Sequence, residues 1–493
     1  MYYPSFEEFS QKAKEGNLIP VYRDILADMD TPVSAFQKIS RGKYSFLLES
    51  VEGGEKWARY SFLGFNPSII FRSKGNTVEI IRGDKTEEWK DVEYPLDKLR
   101  DLMQEYKPVK MDGLPRFFGG AVGYLSYDMV RFFEKLPDNT TDDLNIYDSF
   151  FVITDTILIF DSLKQIIKVV SNVNLANGQD LEKAYKEATG KIDSIVSRLK
   201  EPMRRKSVTA PYKPALNITS NLSKEEFENK VIKAKEHIVA GDIIQVVLSQ
   251  RFQTEAYIDP MDIYRSLRVI NPSPYMFYLK FDDLKIVGSS PEVMVRVEDD
   301  RIALRPIAGT RPRGISPEED QELEKDLLKD PKEVAEHIML VDLGRNDVGR
   351  VAKTGTVNVN ELMIIEKYSH VIHMVSNIQG VLDDGKDSFD VLKACFPAGT
   401  VSGAPKVRAM EIIEDLEPVK RGPYAGSVGY FSFSSNMDLC ITIRTIVIKN
   451  GTIYIQVGAG IVADSEPAKE WSETVNKAKA MMKALQMAKD GLG

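Results

Sequence analysis

The sequence contains few of the residues that build disulfide frameworks or cysteine-rich metal sites. Two of its 493 residues are cysteine and four are histidine. Two cysteines in a chain of this length cannot supply a disulfide framework or a cysteine cluster for a metal ion, and they are typical of a reducing compartment. The composition therefore excludes small disulfide-stapled proteins and predicts a cytoplasmic location.

Long apolar runs and blocks of basic residues are also missing. The longest apolar stretch, 150–160, is interrupted at 154–156 and is shorter than the ~18 residues of a spanning helix. The start, MYYPSFEEFSQKAKEG, has neither the basic nor the apolar region of a secretory signal. The 65 Lys and Arg against 73 Asp and Glu give a net charge of −8, with no long basic block. We therefore expect no nucleic acid and no membrane among the partners.

What remains is the composition of a globular protein, with 43% hydrophobic and 28% charged residues. Short strand patterns dominate up to about residue 170, and a helical pattern follows over 178–199. Residues 201–222 contain prolines and a basic cluster without apolar periodicity, which predicts a linker or exposed loop. We therefore predict an N-terminal domain over 1–200 and a second domain over 223–493.

The second half opens with a helix start signal and mixes strands with helices. Ser223 and Glu226 form a capping box. The region 315–343 is interrupted at Pro331, and 467–491 is a C-terminal helical pattern. Because no regular βαβ alternation is present, the sequence predicts an α+β fold rather than a doubly wound sheet.

Two acidic pairs are the first candidates for chemistry. Glu333 and Glu336 lie three residues apart on one predicted helix, and Glu470 and Glu473 lie three apart on another. This spacing places each pair on one helix face, so that two facing pairs would offer four carboxylates to a hard cation such as Mg²⁺. The alternative is a solvated acidic face on each helix.

Three glycine-containing segments could approach an anion. IQVGAGIVADSEP imitates a dinucleotide fingerprint, but Lys477 to Ala480 stand where its acidic residue belongs, so we reject a Rossmann interpretation. LRPIAGTRPRG, 304–314, predicts a basic loop that either binds an anion or is solvated. FPAGTVSGAPKVRAMEII, 396–413, predicts an anion-binding loop before a helix or an ordinary turn.

Three further polar residues lie in apolar segments. His370 and His373 are three apart in KYSHVIHMVSNI, which fits a strand or a helix, and each could be catalytic or structural. Gln245 lies among isoleucines and valines, where a buried amide needs partners.

Taken together, eight segments resemble the chorismate-utilising enzymes, and in particular the branch that aminates chorismate to anthranilate. The resemblance extends from about Phe6 to Ala488. The segments are LLES near residue 48, PIAGTRPRG, DPKEVAEHIMLVDLGRND, YSHVIHMVS, FPAGTVSGAPKVRAM, YAGSVGYFSF, DLCITIRT and VGAGIVADSEPAKEWSET.

The resemblance implies a two-domain sandwich of mixed, largely antiparallel sheets with helices packed outside. It also implies one Mg²⁺, held principally by Glu336 and Glu473 with Glu333 and Glu470 beside them. The residues that it places around chorismate are Gly309, Thr310, Tyr424, Arg444, Gly458, Ala459, Gly460 and Lys477.

The implied reaction adds ammonia at C2 of chorismate and then eliminates pyruvate to give anthranilate, the first step of tryptophan biosynthesis. Glu292 matches the family's general acid, because the C4 hydroxyl leaves well only when protonated. His373 matches the residue associated with the elimination. Thr400 and Gln245 complete the implied catalytic set.

Gln245 and Ala308 separate this chain from related reactions. The water-adding isochorismate and salicylate synthases have a lysine base where Gln245 stands. Aminodeoxychorismate synthases often have a nucleophilic lysine where Ala308 stands. Both residues favour amination at C2, although an aminodeoxychorismate synthase without that lysine remains the nearest alternative, and a tryptophan-binding regulatory protein is the alternative of another class.

Feedback inhibition and a partner subunit are implied as well. The residues that match the tryptophan site of the family are Glu49, Ser50, Pro274, Tyr275, Met276, Val428 and Tyr430. A glutaminase needs a cysteine nucleophile beside a histidine, and neither Cys395 nor Cys440 has that setting. We therefore predict a separate glutamine amidotransferase subunit that supplies ammonia, within a heterotetramer.

Overall fold

The alternating and apolar segments form antiparallel strands, and the amphipathic segments form helices outside them. A computed structural model describes residues 1–51, 59–175, 178–203, 215–255, 257–368 and 371–492. Its helices are α1 Phe6–Lys12, α2 Pro32–Ile39, α3 Pro95–Gln104, α4 Leu181–Leu199, α5 Lys224–Val239, α6 Pro260–Ile270, α7 Pro317–Lys329, α8 Pro331–Gly349, α9 Ser388–Cys395, α10 Lys406–Leu416 and α11 Pro467–Asp490, with 3₁₀ turns at Tyr127–Phe132 and Gly399–Val401.

The strands form two sheets of twelve. Strands of the first sheet are β1 Leu18–Leu26, β2 Tyr44–Glu49, β3 Tyr60–Phe65, β9 Thr156–Asp161, β10 Ile166–Asn174, β11 Thr219–Ser220, β12 Gln245–Glu255, β13 Tyr275–Phe281, β14 Leu284–Ser290, β20 Gly403–Ala404, β23 Thr445–Lys449 and β24 Thr452–Ile461. Strands of the second sheet are β4 Ile69–Lys74, β5 Thr77–Arg82, β6 Lys85–Trp89, β7 Gly120–Leu125, β8 Ser149–Thr154, β15 Val293–Glu298, β16 Arg301–Leu304, β17 Ile307–Pro312, β18 Asn358–Lys367, β19 Val371–Val381, β21 Ser427–Ser432 and β22 Met437–Ile441.

Both sheets contain strands from both halves of the chain. In the first sheet β2 pairs antiparallel with β13, and in the second β7 pairs antiparallel with β21. The predicted α+β sandwich is confirmed. The division at 201–222 stays a prediction about the sequence, because 204–214 lie outside the described residues.

Aromatic side chains fill the space between the two sheets. Phe46 and Phe277 of the first sheet and Phe71, Tyr124 and Phe431 of the second are fully buried in one cluster. Burial of each such side chain stabilises the fold by about 1.5–3 kcal/mol. Helices α2, α4, α6 and α11 pack in a second cluster on the outer face of the first sheet. The sandwich therefore has one core between its sheets and another under its helices.

Several local predictions are confirmed. Ser223 caps α5 through the reciprocal bonds with Glu226, and the 315–343 region divides at Pro331 into α7 and α8. The segment that fitted a strand or a helix is strand β19. Gly458 and Gly460 lie inside strand β24. Among the described residues, no helix has the length and apolar character needed to cross a membrane.

Candidate active site

Two glycines open a cleft on the inner face of the first sheet. Gly458 lies opposite Ser249 of β12, and Gly460 lies opposite Val247. A Cβ atom at position 458 would lie 2.5 Å from the Tyr424 hydroxyl oxygen, and one at position 460 would lie 2.6 Å from Gln245 Nε2. Only glycine at positions 458 and 460 therefore leaves room for Tyr424 and Gln245; we call this part of β24 and β12 the floor of the cleft.

Gln245 presents a buried amide to this floor. Its side chain is 3% exposed, and its Oε1 atom has no hydrogen-bond partner among the described residues. Leaving a buried acceptor unsatisfied costs about 1–3 kcal/mol. An unpaired amide beside a glycine-lined space is suited to a bound polar molecule.

Glu292 provides a buried carboxyl group at the same cleft. Thr400, in the 3₁₀ turn before β20, donates a hydrogen bond of 2.9 Å from Oγ1 to Glu292 Oε1. Burial raises the pKa of Glu292 to about 8, while the Thr400 hydrogen bond and the charge of Lys477 act in the opposite direction. The carboxyl group is therefore protonated at neutral pH and can donate a proton.

Helix α11 brings positive charge to the opening. Lys477 Nζ donates to the Gly458 carbonyl oxygen at 2.9 Å and lies 2.7 Å from Glu473 Oε1. Arg444 joins these two residues in lining an open cleft of about 690 Å³. Among the described residues, no side-chain or backbone group accepts a hydrogen bond from the Arg444 guanidinium, which leaves its planar donors available to a carboxylate.

The backbone of Arg444 is held in an unusual conformation. Its φ angle of 51° lies in the left-handed region, which side chains other than glycine adopt at a cost. Burial lowers the pKa of Arg444, and the nearby groups Tyr424 and Glu473 act in the opposite direction. Tyr424 is itself buried, and burial raises its pKa to about 12, so its hydroxyl is a neutral donor. The side chain of Ala459 packs with α5 and α10 in the core, so only its backbone can serve the cleft.

His373 lies on β19 beside the glycine of β17. Its Nδ1 atom is 3.2 Å from the Gly309 carbonyl oxygen and 3.1 Å from Thr310 Oγ1. A carbonyl can only accept, so Nδ1 carries the proton and Nε2 is left free to take one. Burial lowers the pKa of His373, and the charge of Arg444 lowers it further. The ring is therefore neutral and able to act as a base. His370 lies outside the described residues.

The four predicted metal carboxylates lie on two neighbouring helices. Burial raises the pKa of Glu336, and the charges of Glu333 on α8 and Glu473 on α11 raise it further. Burial and the charge of Glu473 do the same for Glu470. The effect of Glu473 on Glu336 crosses from one helix to the other, so these two carboxylates lie within electrostatic reach of each other, and an all-oxygen donor set fits a hard cation. Within the described ranges, however, no three acidic, histidine or cysteine side chains are already arranged as a metal site.

The basic segment 304–314 differs from the expected loop. It forms β17 and the end of β16, and its arginines are paired with acidic side chains. Arg311 contacts Asp326 at 2.7 Å and Asp330 at 2.9 Å. Arg313 contacts Asp320 at 2.6 Å. These pairs neutralise the arginines, so an anion at this segment would meet Gly309 and Thr310 rather than free guanidinium groups.

A second cavity, of about 330 Å³, lies between the sheets and away from this cleft. Glu49 accepts a hydrogen bond of 2.5 Å from the Tyr264 hydroxyl and lies 3.4 Å from Arg268 Nε, and burial raises its pKa. All the residues predicted for an inhibitor line this cavity, namely Glu49, Ser50, Pro274, Tyr275, Met276, Val428 and Tyr430.

The sequence reasoning missed the polar wall of this inner cavity. Asp438 of β22 lies opposite Arg296 of β15, with 2.8 Å between its Oδ2 and Arg296 Nη2. It also lies 3.2 Å from Arg116 Nη2 and accepts a hydrogen bond of 2.9 Å from the Tyr275 hydroxyl. The sequence signal was a charged residue inside each of two apolar strands, and it indicates a buried pair only once the strands are known to be neighbours.

Comparison with known proteins places this geometry in a family. Residues 45–483 match the family model described as chorismate binding enzyme. The chain belongs to that family. It is 51% identical over 494 residues to anthranilate synthase component 1 of Acetivibrio thermocellus, covering 99% of both chains. It is 52% identical over 490 residues to anthranilate synthase component 1 of Aquifex aeolicus, covering 99% of this chain and 98% of that one.

A solved structure supports the same conclusion about the fold. The crystal structure of anthranilate synthase component I from Streptococcus pneumoniae superposes with a TM-score of 0.77 and 36% sequence identity. The superposition covers 93% of this chain and 98% of the other. The chorismate-binding enzyme therefore has the fold that its motifs predicted.

Proposed function

We propose that this chain is the large subunit of an anthranilate synthase, which forms anthranilate and pyruvate from chorismate and ammonia. Its relatives carry that name, and the observation that carries the proposal is the buried Glu292, which accepts a hydrogen bond from Thr400, while Gln245 lies beside Gly460. The cleft contains a proton donor for a leaving hydroxyl and an amide in place of a base that would activate water.

The first step forms a bond between ammonia nitrogen and C2 of the ring while the bond from C4 to its hydroxyl breaks. Glu292 donates its proton to that hydroxyl, which leaves as water. The nitrogen gives up a proton, which restores the proton of Glu292, so water is the one other product of this step. Arg444 and Lys477 hold the substrate carboxylates, since both face the cleft opening.

The second step removes the proton from C2 and breaks the ether bond at C3, so that the ring becomes aromatic and the side chain leaves as pyruvate. The neutral ring of His373 takes the proton through Nε2, and the departing enolpyruvate takes up one proton at its methylene carbon to become pyruvate. Gly309 and Thr310 keep the ring oriented through Nδ1. Each position in this scheme is a proposal supported by burial and hydrogen bonding.

We also propose one Mg²⁺ between α8 and α11. Glu336 and Glu473 would bind it, with Glu333 and Glu470 beside them, and the bound ion would neutralise the ring carboxylate of chorismate. The support is the effect of the Glu473 charge on Glu336, which acts between the two helices.

Tryptophan is the proposed occupant of the inner cavity, where it would act as a feedback inhibitor. A volume of about 330 Å³ suits one indole-bearing amino acid, and Glu49 offers a carboxylate for its ammonium group.

A glutamine amidotransferase subunit is the proposed source of ammonia, in a cytoplasmic heterotetramer. Cys395 and Cys440 are both buried, and burial raises the pKa of each thiol, which opposes formation of a nucleophilic thiolate.

The decisive experiment is product analysis with chorismate, ammonium and Mg²⁺. Fluorescent anthranilate together with one equivalent of pyruvate supports the proposal. Formation of 4-amino-4-deoxychorismate without pyruvate would replace it with the aminodeoxychorismate reaction. Absence of any chorismate consumption would favour a regulatory binding protein.

A further inference from the structure

A fully buried ion pair lies behind the cleft and takes no part in the chemistry described above. The side chains of Arg421 and Glu417 are 2% and 4% exposed. Arg421 Nε and Nη2 donate to the two carboxylate oxygens of Glu417 at 2.9 and 2.6 Å. Replacing a buried pair by apolar residues is often neutral or stabilising, so stability alone does not account for its presence.

The remaining donors of Arg421 bind two segments of the active site. Nη1 donates to the Val401 carbonyl oxygen at 2.8 Å, directly after Thr400, and Nη2 donates to the Val247 carbonyl oxygen at 2.7 Å, opposite Gly460. The guanidinium carbon lies 5.7 Å from the centre of the Tyr424 ring. The Arg421 side chain thus contacts the turn that contains Thr400, strand β12 and the ring of Tyr424.

Glu417 extends the same connection along the floor. Its Oε1 accepts hydrogen bonds from the Ser249 backbone nitrogen at 2.8 Å and from Ser249 Oγ at 2.9 Å. Ser249 lies opposite Gly458, whose carbonyl accepts from Lys477. The pair therefore fixes β12 at two positions that face the two open glycines.

We propose that Arg421, together with Glu417, is a positioning residue that holds Thr400 against Glu292 and Tyr424 over Gly458. Five donors in a planar fork allow Arg421 to bind Glu417, Val401 and Val247 at once, whereas a lysine ammonium cannot span the three acceptors. The inference rests on the proposed use of Glu292 as the acid. It adds a residue that acts on the reaction without touching the substrate.

The test follows Arg421→Lys through the pH profile of kcat/KM for chorismate. Two groups act on the Glu292 carboxylate in addition to its burial, the Thr400 hydroxyl and the Lys477 ammonium, and both lower the pKa. Loss of the Thr400 hydrogen bond therefore raises the pKa and moves the alkaline limb to higher pH. Chorismate consumption is followed at a constant concentration of unprotonated ammonia, with Thr400→Val as the reference variant.

We expect Arg421→Lys to lower kcat by on the order of 10- to 100-fold, as a misplaced catalytic group does. Its alkaline limb should move as far as that of Thr400→Val, and the double variant should move it no further. An alkaline limb at the wild-type pH in Arg421→Lys, beside a shifted limb in Thr400→Val, would overturn the proposal.

Arg131→Lys is the matched control. Arg131 pairs with the buried Glu414 of α10 at 2.6 Å, but its partners belong to the 128–140 region and α10 rather than to the cleft. Arg131→Lys should lose stability without moving the alkaline limb.

Glu417→Gln is the second variant if Arg421→Lys does not fold, and failure of both to fold would assign the pair to stability alone. Because any chorismate consumption serves as the readout, an unexpected wild-type product would contradict the proposed function and leave this test intact.

Discussion

Thr400 Oγ1 donates a hydrogen bond of 2.9 Å to Glu292 Oε1 and so joins the 3₁₀ turn at Gly399–Val401 to the residue before β15. The contact leaves the other carboxyl oxygen of Glu292 available to carry a proton. It also orients the carboxyl group at the cleft that contains Gln245. The implied general acid and a second residue of the implied catalytic set are therefore brought together by elements more than 100 residues apart in the chain.

Glu292→Gln should abolish most of the turnover while chorismate still binds. An amide has the shape of the acid but cannot protonate the leaving hydroxyl, so kcat should fall by on the order of 10²- to 10⁴-fold. Steady-state kinetics and equilibrium binding of chorismate measure the two effects. Glu87→Gln, on the exposed strand β6, is the control and should behave as the wild type. Turnover within a few-fold of wild type in Glu292→Gln would assign the proton transfer elsewhere.

The same substitution should stabilise the protein more at high pH than at low pH. Burial raises the pKa of Glu292 from 4.5 to about 8, so between these values the unfolded chain releases a proton that the folded chain keeps. The free energy of unfolding of the wild type therefore falls as pH rises through this window. Glu292→Gln has no ionisable group at this position, so its stability does not fall in this way. The difference in free energy of unfolding between the variant and the wild type should increase by up to a few kcal/mol in favour of the variant from pH 5 to pH 8. Denaturant titrations that give a pH-independent difference would contradict the raised pKa.

Arg444→Lys should weaken chorismate binding more than it slows the chemical steps. The guanidinium faces the cleft without a hydrogen-bond partner among the described residues, and a lysine cannot reproduce a bidentate bond to a carboxylate. Loss of about 1.5–3 kcal/mol corresponds to a KM that is roughly 10- to 100-fold higher. The control is Arg82→Lys, in a surface ion pair with Glu87. A larger loss in kcat than in KM would show that Arg444 acts mainly on the transition state.

Glu49→Gln should reduce inhibition by tryptophan because it removes the charge proposed to meet the ammonium group. The inhibition constant should rise by roughly 10- to 100-fold, which corresponds to one charged hydrogen bond. Indole-3-propionate, which lacks the amino group, is the matched probe. It should inhibit the wild type only weakly, and its inhibition constant should be the same for Glu49→Gln. An equal loss for both ligands would mean that Glu49 shapes the cavity through Tyr264 and Arg268 rather than binding the ammonium.

Glu336→Gln and Glu473→Gln should each weaken Mg²⁺ binding by roughly 10-fold or more, since each removes a charged oxygen ligand. Calorimetric titration of the chelator-treated protein with Mg²⁺ gives the affinity without relying on turnover. Asp342→Asn is the control, because Asp342 lies on the same helix but is paired with Arg345 on the surface. Unchanged Mg²⁺ affinity in both glutamine variants would place the ion at other residues.

Local sequence signals correctly predicted several elements because their physical causes are local. The Ser223 capping box, the break at Pro331 and the i, i+3 spacing of Glu333 and Glu336 depend only on neighbouring residues. The need for glycine at two positions of β24 has a cause that is not local. Gly458 and Gly460 are required by the side chains of Tyr424 and Gln245, which reach them from other segments.

Buried polar networks could not be predicted from the sequence. Nothing local to Arg421 indicates that its guanidinium reaches Val247 and Val401, and nothing local to Asp438 indicates two arginines beside it. Such contacts depend on the packing of strands that are distant in the chain, whereas an isolated charge in a strand is compatible with either exposure or burial.

The sequence by itself determined the kind of protein. Its motifs are long and ordered, and they predicted an α+β sandwich of the chorismate-binding family together with the residue types that the chemistry needs. The tertiary structure decided which of those residues meet. Antiparallel pairing of β17 with β19 places His373 against Gly309, the turn before β20 places Thr400 against Glu292, and burial then shifts the pKa of each acid or base. The protonation state of a side chain depends on its desolvation and on neighbouring groups brought close by folding. Only the folded chain therefore determines the protonation states of these residues.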